Sequence, residues 1–158
     1  MGRTLKRRRL EAKTDYRARL VLLKSGKPRI VIRRSNRYII AQIVGSDTAQ
    51  DKIIFGVSSK LLLSKGWPKE LSGSLKSRPA AYLTGLMLAK MAKGKVTEVI
   101  LDIGMQRNIS KSRLYAALNG FIDGGISVPH SQDILPGYAE ISKNPKTGKL
   151  IAELKAKV

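Results

Sequence analysis

The chain has 158 residues, 31 Lys/Arg against 11 Asp/Glu, and a formal charge of +20. Self-repulsion of that size points to a polyanionic partner, and nucleic acid is favoured over a membrane because no basic amphipathic helix carries Trp and Phe along one face. With 42% hydrophobic residues, one domain with a real core is expected; the lack of cysteine excludes disulfides, thiolate metal sites and thiol nucleophiles.

No run of about 18 apolar residues is available to span a membrane. The basic N-terminus lacks the apolar stretch of a secretion signal, so a cytoplasmic location is expected. The charge is uneven. Residues 1–37 hold 14 Lys/Arg against Glu11 and Asp15, a net of +12.

"RTLKRRRLEAK" is too charged to bury anything alone and reads as an arm, residues 1–13, that orders on its partner. "TDYRARLVLLKSG" reads as a short helix capped by Thr14 or Asp15, with Tyr16, Leu20 and Leu23 on one face and Gly26 as its stop. Pro28 breaks it. "RIVIRRSNRYIIAQIV" then alternates as two strands joined at Ser35-Asn36, rich in β-branched residues. A polar turn, "GSDTAQD", leads to a third strand, "KIIFGVSS", which completes an antiparallel meander.

"KLLLSKGWPKELSGSLKS" reads as loop with a helical turn. Pro79 opens an apolar helix, "PAAYLTGLMLAKMAKG", whose Ala and Gly residues would permit close approach to a sheet and which Gly94 ends. "VTEVILDIG" reads as a strand buried on both faces, "MQRNISKS" as a basic loop, "SRLYAALNGFIDGG" as a helix and "ISVPH" as a last strand. That makes Val96 to Pro129 a right-handed βαβ unit. The expected fold is α/β: a mixed sheet with a three-strand meander, then βαβ, with helices on its faces. Residues 14–143 form the domain, and 144–158 a tail that is a weak helix or is ordered by a partner.

No catalytic constellation is present. His130 is the sole histidine, so a histidine metal cluster is excluded, and it reads as a locally bonded loop residue. No nucleophile elbow or phosphate-cradling glycine loop occurs. A two-metal nuclease needs several converging carboxylates; only Asp102 stands clearly at a strand end, where it would cap the next loop. Neither enzyme activity nor a cofactor or metal is expected.

Binding has more support, because Arg and Lys contact phosphate oxygens, Arg bidentately. One cluster lies in the arm and first helix: Arg3, Lys6, Arg7, Arg8, Arg9, Lys13, Arg17 and Arg19, joined by Tyr16, Lys24 and Lys27. A second is the hairpin tip, Arg33, Arg34 and Arg37, with Ser35 and Asn36. Beside it, Tyr38 either stacks on a base or ribose or packs on the sheet. The third is the loop before the second sheet helix: Arg107, Lys111 and Arg113, with the Ser110 and Ser112 hydroxyls at a helix start that favours an anion, and Arg78 in addition. A general basic nucleic-acid-binding protein is the alternative that composition alone leaves open.

"KTDYRARLVLLKSGKPRIVIRRSNRYIIAQIV", "AAYLTGLMLAKM", "VILDIG", "ALNGFIDGGISVPHS" and "PGYAEISK" follow in colinear order over roughly residues 5 to 143. This combination resembles the archaeal and eukaryotic form of large-subunit ribosomal protein eighteen, numbered five in eukaryotes. The resemblance implies a structural protein that binds 5S ribosomal RNA and docks it in the central protuberance. The implied partners also include large-subunit ribosomal RNA and neighbouring proteins such as protein five, with no membrane and no homo-oligomer. It implies a three-layer α/β/α fold of ribonuclease H-like topology without the nuclease site. By the same resemblance Arg33, Arg34, Ser35, Asn36 and Arg37 face RNA, as do Arg107, Lys111 and Arg113. Two departures stand out: many members run on past "PGYAEISK" with a longer C-terminal region, and the "MQRN" loop differs among members.

Overall fold

The computed structural model describes residues 5–48 and 50–157. Four strands, β1 (Arg29–Arg34), β2 (Ile39–Asp47), β3 (Gln50–Ser58) and β4 (Ile100–Asp102), form one mixed sheet in the order β3-β2-β1-β4. β1 runs antiparallel to β2, β2 antiparallel to β3, and β1 parallel to β4. The α/β class and the meander are as the alternating pattern requires.

Strand periodicity sends successive side chains to opposite faces. Ile30 and Ile32 therefore project with Ile39, Ala41 and Ile43 to one face, where all five are completely buried. Full burial of each such Ile contributes roughly 1.5–3 kcal/mol. This face is covered by α3 (Arg78–Ala92) and α4 (Arg113–Asp123). α3 begins with Ser77 as its cap and Pro79 in its first turn, where a missing N–H costs nothing.

α3 and α4 touch through glycines. A Cβ on Gly85 would lie 2.8 Å from the Ala117 carbonyl carbon, and one on Gly120 would lie 2.8 Å from that of Tyr82. α3 does lie on the sheet, as its small residues allow, and Gly85 in addition lets α4 approach it closely.

Three expected boundaries change. β2 and β3 extend through "GSDTAQD" until Asp47 pairs with Gln50, so Asp51 lies in a strand, not a turn. Thr48 takes a positive φ of 45° between them. The strand expected over "VTEVILDIG" is only three residues long, and residues 100–102 are partly buried where burial on both faces was expected. The "ISVPH" strand reduces to one parallel bridge, Glu98 to Ser127. Pro129, which has no N–H, cannot prolong that pairing as a donor.

Among the described residues the remaining α-helices are α1 (Arg7–Leu10), α2 (Tyr16–Lys24), α5 (Tyr138–Ile141) and α6 (Pro145–Lys157), and three short 3-10 helices lie at Ser59–Leu63, Lys69–Ser74 and Gln132–Ile134. The Asp15 carboxylate caps α2 by accepting the N–H groups of Arg17 at 2.9 Å and Ala18 at 3.1 Å. No residue of α2 is buried. α6, within the expected tail, joins the main core through Ile151 and Leu154, and the Lys90 ammonium donates to its Lys155 carbonyl at 3.4 Å.

Candidate nucleic-acid interface

The hairpin between β1 and β2 is closed by Ser35 and Tyr38. The Ser35 N–H donates to the Tyr38 carbonyl at 2.8 Å, and the Ser35 hydroxyl accepts the Tyr38 N–H at 2.9 Å. Asn36 and Arg37 are thus the central pair, one residue later than the Ser35-Asn36 turn expected from sequence. Arg33, Arg34, Ser35, Asn36 and Arg37 are all exposed. Tyr38 is partly buried and packs against the core, which leaves only part of its ring free.

Gln106 braces the base of this hairpin. Its side-chain N–H donates to the Ile32 carbonyl at 2.7 Å, and its Oε1 accepts the Arg34 N–H at 3.2 Å. The side-chain amide takes over the edge of β1 where β4 stops. Nothing in the sequence marks Gln106 for this role, since it falls in an irregular loop 72 positions from Arg34.

A buried ion network anchors the other end of β1. Arg29 is 2% exposed. It donates from Nη2 to Asp51 Oδ1 and from Nη1 to Asp102 Oδ2, both at 2.6 Å. Arg19 of α2 donates to Asp51 Oδ2 at 2.8 Å, and the Gly104 N–H donates to Asp102 Oδ1 at 2.9 Å. Every oxygen of the two carboxylates is therefore engaged by a donor, two guanidinium groups among them. Burial raises the pKa of Asp51, but the Arg19 and Arg29 hydrogen bonds and charges outweigh it and hold the carboxyl below its usual range. Asp102 does cap the loop after its strand, as expected, and holds Arg29 as well. Among the described residues no group of three or more His, Asp or Glu is placed to hold a metal ion. His130 makes a local contact, Nδ1 to the Val128 carbonyl at 2.6 Å.

Two basic clefts flank the hairpin. The larger, about 1230 Å³, lies between α2 and the sheet and is lined by Lys6, Arg8, Lys13, Tyr16, Arg17, Arg19 and Arg33. The smaller, about 590 Å³, is lined by Arg34, Arg78, Lys111, Ser110, Ser112, Arg113 and Lys143. Alternation along β1 explains the split: Arg33 follows Val31 to the α2 side, and Arg34 follows Ile32 to the helix side.

The sequence candidates differ in how free their charges are. Arg7 and Lys13 pair with Glu11, Lys27 with Glu98 and Lys111 with Glu140. Arg8 donates to the Thr14 hydroxyl, and Lys6 sits 4.6 Å above the Tyr16 ring. Among the described residues no ion pair to a carboxylate engages Arg9, Arg17, Lys24, Arg33, Arg34, Arg37, Arg78, Arg107 or Arg113. Arg9, Lys24 and Arg107 are exposed but line neither cleft. Arg3 lies outside the described residues. Lys143 was not among the sequence candidates; it enters the smaller cleft only because α5 and α6 fold against α3.

The chain matches a family described as ribosomal large subunit proteins 60S L5 and 50S L18, over residues 3–97 and 92–131. It is 56% identical over 131 residues to the large ribosomal subunit protein uL18 of Korarchaeum cryptofilum, covering 82% of this chain and 65% of that one. It is 40% identical over 136 residues to the protein of that name from Methanothermobacter thermautotrophicus, covering 85% and 69%. With the Aeropyrum pernix protein the identity is 42% over 134 residues, covering 83% and 60%. The chain thus spans about two-thirds of the length of these relatives.

Proposed function

Because this chain belongs to the family of ribosomal large-subunit proteins 60S L5 and 50S L18, we propose that it is a non-enzymatic ribosomal protein that binds 5S ribosomal RNA. It helps to attach that RNA to the large subunit in the central protuberance, beside large-subunit ribosomal RNA and proteins such as protein five. The ribonuclease H-like relation of its sheet, and its place in the cytoplasmic ribosome, belong to the same proposal.

The observation that carries this reading is the hairpin. Three exposed arginines, without a carboxylate partner among the described residues, sit on a tip held at one edge by Gln106. Like charges held together cost energy in the free protein, and a polyanion removes that cost. The body fixes where the guanidinium groups stand, so the shape of the RNA, more than its base sequence, selects the partner.

The test is a titration against 5S ribosomal RNA with a structured RNA of similar length as competitor. A clear preference for 5S RNA is expected. If roughly 6–10 phosphates are neutralised, affinity falls by about 10³–10⁵ between about 50 and 200 mM salt. A flat salt profile overturns the electrostatic mechanism, and equal binding of the competitor leaves only a general basic nucleic-acid-binding protein.

A further inference from the structure

The smaller cleft holds more than positive charge. Three helices begin at its wall: α3 after Ser77, α4 after Ser112 and α6 after Asn144. The three dipoles add positive potential at one place. Pro79 and Pro145 have no N–H, Ser77 accepts the Ala80 N–H at 3.5 Å, and Asn144 accepts the N–H groups of Lys146 at 3.1 Å and Thr147 at 3.2 Å, so the free donors come mainly from the first turn of α4. Ser112, by contrast, makes no capping bond with its side chain.

A second and independent observation points to a ligand. Among the described residues, three buried polar atoms lack a hydrogen-bond partner: Ser112 Oγ, Thr147 Oγ1 and Glu140 Oε2. All three residues line this one cleft. Thr147 is 2% exposed, so bulk water does not satisfy its hydroxyl. An orphaned buried polar group is costly, which makes three at one place an unusual concentration.

The chemistry of the set is mixed. Two hydroxyls, three helix N-termini and the cations Arg34, Arg78, Arg113 and Lys143 all suit an oxyanion. Glu140 does not: its Oε1 holds Lys111 at 3.0 Å, and its Oε2 needs a donor. The phosphodiester group by itself, or the carboxylate of an acidic peptide, supplies no donor there. In the backbone of RNA the 2′-hydroxyl is a donor that lies next to a phosphate.

The geometry points to a subsite for one ribose–phosphate unit of RNA. The phosphate sits at the N-termini of α3 and α4 with the Ser112 and Thr147 hydroxyls, and the 2′-hydroxyl donates to Glu140 Oε2. This rests on the RNA-binding reading above and adds to it a place where RNA is told from DNA.

The test is an NMR titration of the ¹⁵N-labelled full chain with adenosine 3′-monophosphate, its 2′-deoxy counterpart and inorganic phosphate. Amide shifts centred on Ser112, Arg113 and Thr147 are expected for all three, with the ribonucleotide bound about tenfold more tightly than the deoxynucleotide. Glu140→Ala should abolish that difference. Thr147→Val should weaken every anion severalfold and leave the melting temperature unchanged or raised, since it deletes an unsatisfied hydroxyl. Equal affinity of the two nucleotides overturns recognition of the 2′-hydroxyl. Unaltered binding by Thr147→Val overturns the phosphate position. If 5S RNA shifts the amides of residues 33–37 but neither nucleotide shifts the cleft, this subsite fails and the RNA-binding reading stands. If RNA moves neither region, both fail.

Discussion

Replacing Gly85 by Ala sets two effects of opposite sign against each other. Helix propensity alone favours Ala over Gly by about 1 kcal/mol within a helix. The new methyl group, however, would stand 2.8 Å from the Ala117 carbonyl carbon and 3.0 Å from the Phe121 nitrogen, and would overlap the Ala117 oxygen. Relaxed contacts between carbon atoms need roughly 3.5–4.0 Å. The atoms in the way are backbone and cannot rotate aside, so α3 and α4 must part by about 1 Å. Parting them loosens a seam that includes Tyr82, Leu86, Leu118 and Phe121, all buried. Overpacking of this kind costs about 1–3 kcal/mol, more where backbone has to move. We expect a net loss of about 2 kcal/mol and a fall in Tm of about 4–8 °C for a domain of this length. Differential scanning calorimetry of the variant decides it. Gly120→Ala should behave alike, and the double variant should lose less than the sum, because the first separation makes room for the second. Gly137→Ala, with no atom within 4 Å of the added Cβ, is the control. A Tm for Gly85→Ala that is unchanged or raised would show that propensity wins and that the helices are not locked at this crossing.

Arg29→Met leaves Asp102 without its buried guanidinium partner and should cost about 3–5 kcal/mol in urea denaturation; a loss under about 1 kcal/mol would mean the network carries no weight. The lowered pKa of Asp51 has a consequence of definite sign. Its contribution is complete above the unfolded value of 3.8 and is lost as pH falls through the lower folded value. The stability gap between wild type and Asp51→Asn should therefore close on acidification below about pH 4, and a gap constant with pH would contradict the ion-pair account. Changing Arg33, Arg34 and Arg37 together to Ala should lower 5S RNA affinity and reduce the salt slope by up to about 3, with Tm unchanged; unaltered affinity retires the hairpin as a contact. Gln106→Ala should weaken RNA binding severalfold by loosening the base of the hairpin, with a stability loss of no more than about 1 kcal/mol, and full affinity in this variant would show that the brace is dispensable.

Local chemistry was legible and long-range geometry was not. The alternation of Ile30 and Ile32 with Arg33, the capping Asp15, and Pro79 at a helix start each follow from a few neighbouring residues, and each stands in the structure. The tip arginines were visible because charge density needs no fold to be seen. The Arg29 network joins residues 22 and 73 positions apart, and only the strand register brings them together. Asp51 was read as part of a turn because its polar neighbours hid the continuation of β3. The smaller cleft was legible only in pieces: Lys111, Ser112 and Arg113 stood out as a loop, whereas Thr147 and Glu140 look like ordinary residues until α6 and α5 are folded against α3.

The two faces of β1 have a consequence for assembly. Because side chains alternate strictly, slipping β1 by one residue against β2 would turn Ile30 and Ile32 to the α2 side and exchange Arg33 with Arg34. Folding and recognition are then written in the same parity. A chain with the wrong register loses its core and presents each arginine to the wrong groove. Any polyanion still neutralises part of its charge, but an RNA whose shape fits both grooves favours the correctly aligned chain, so recognition adds to the preference for the right register.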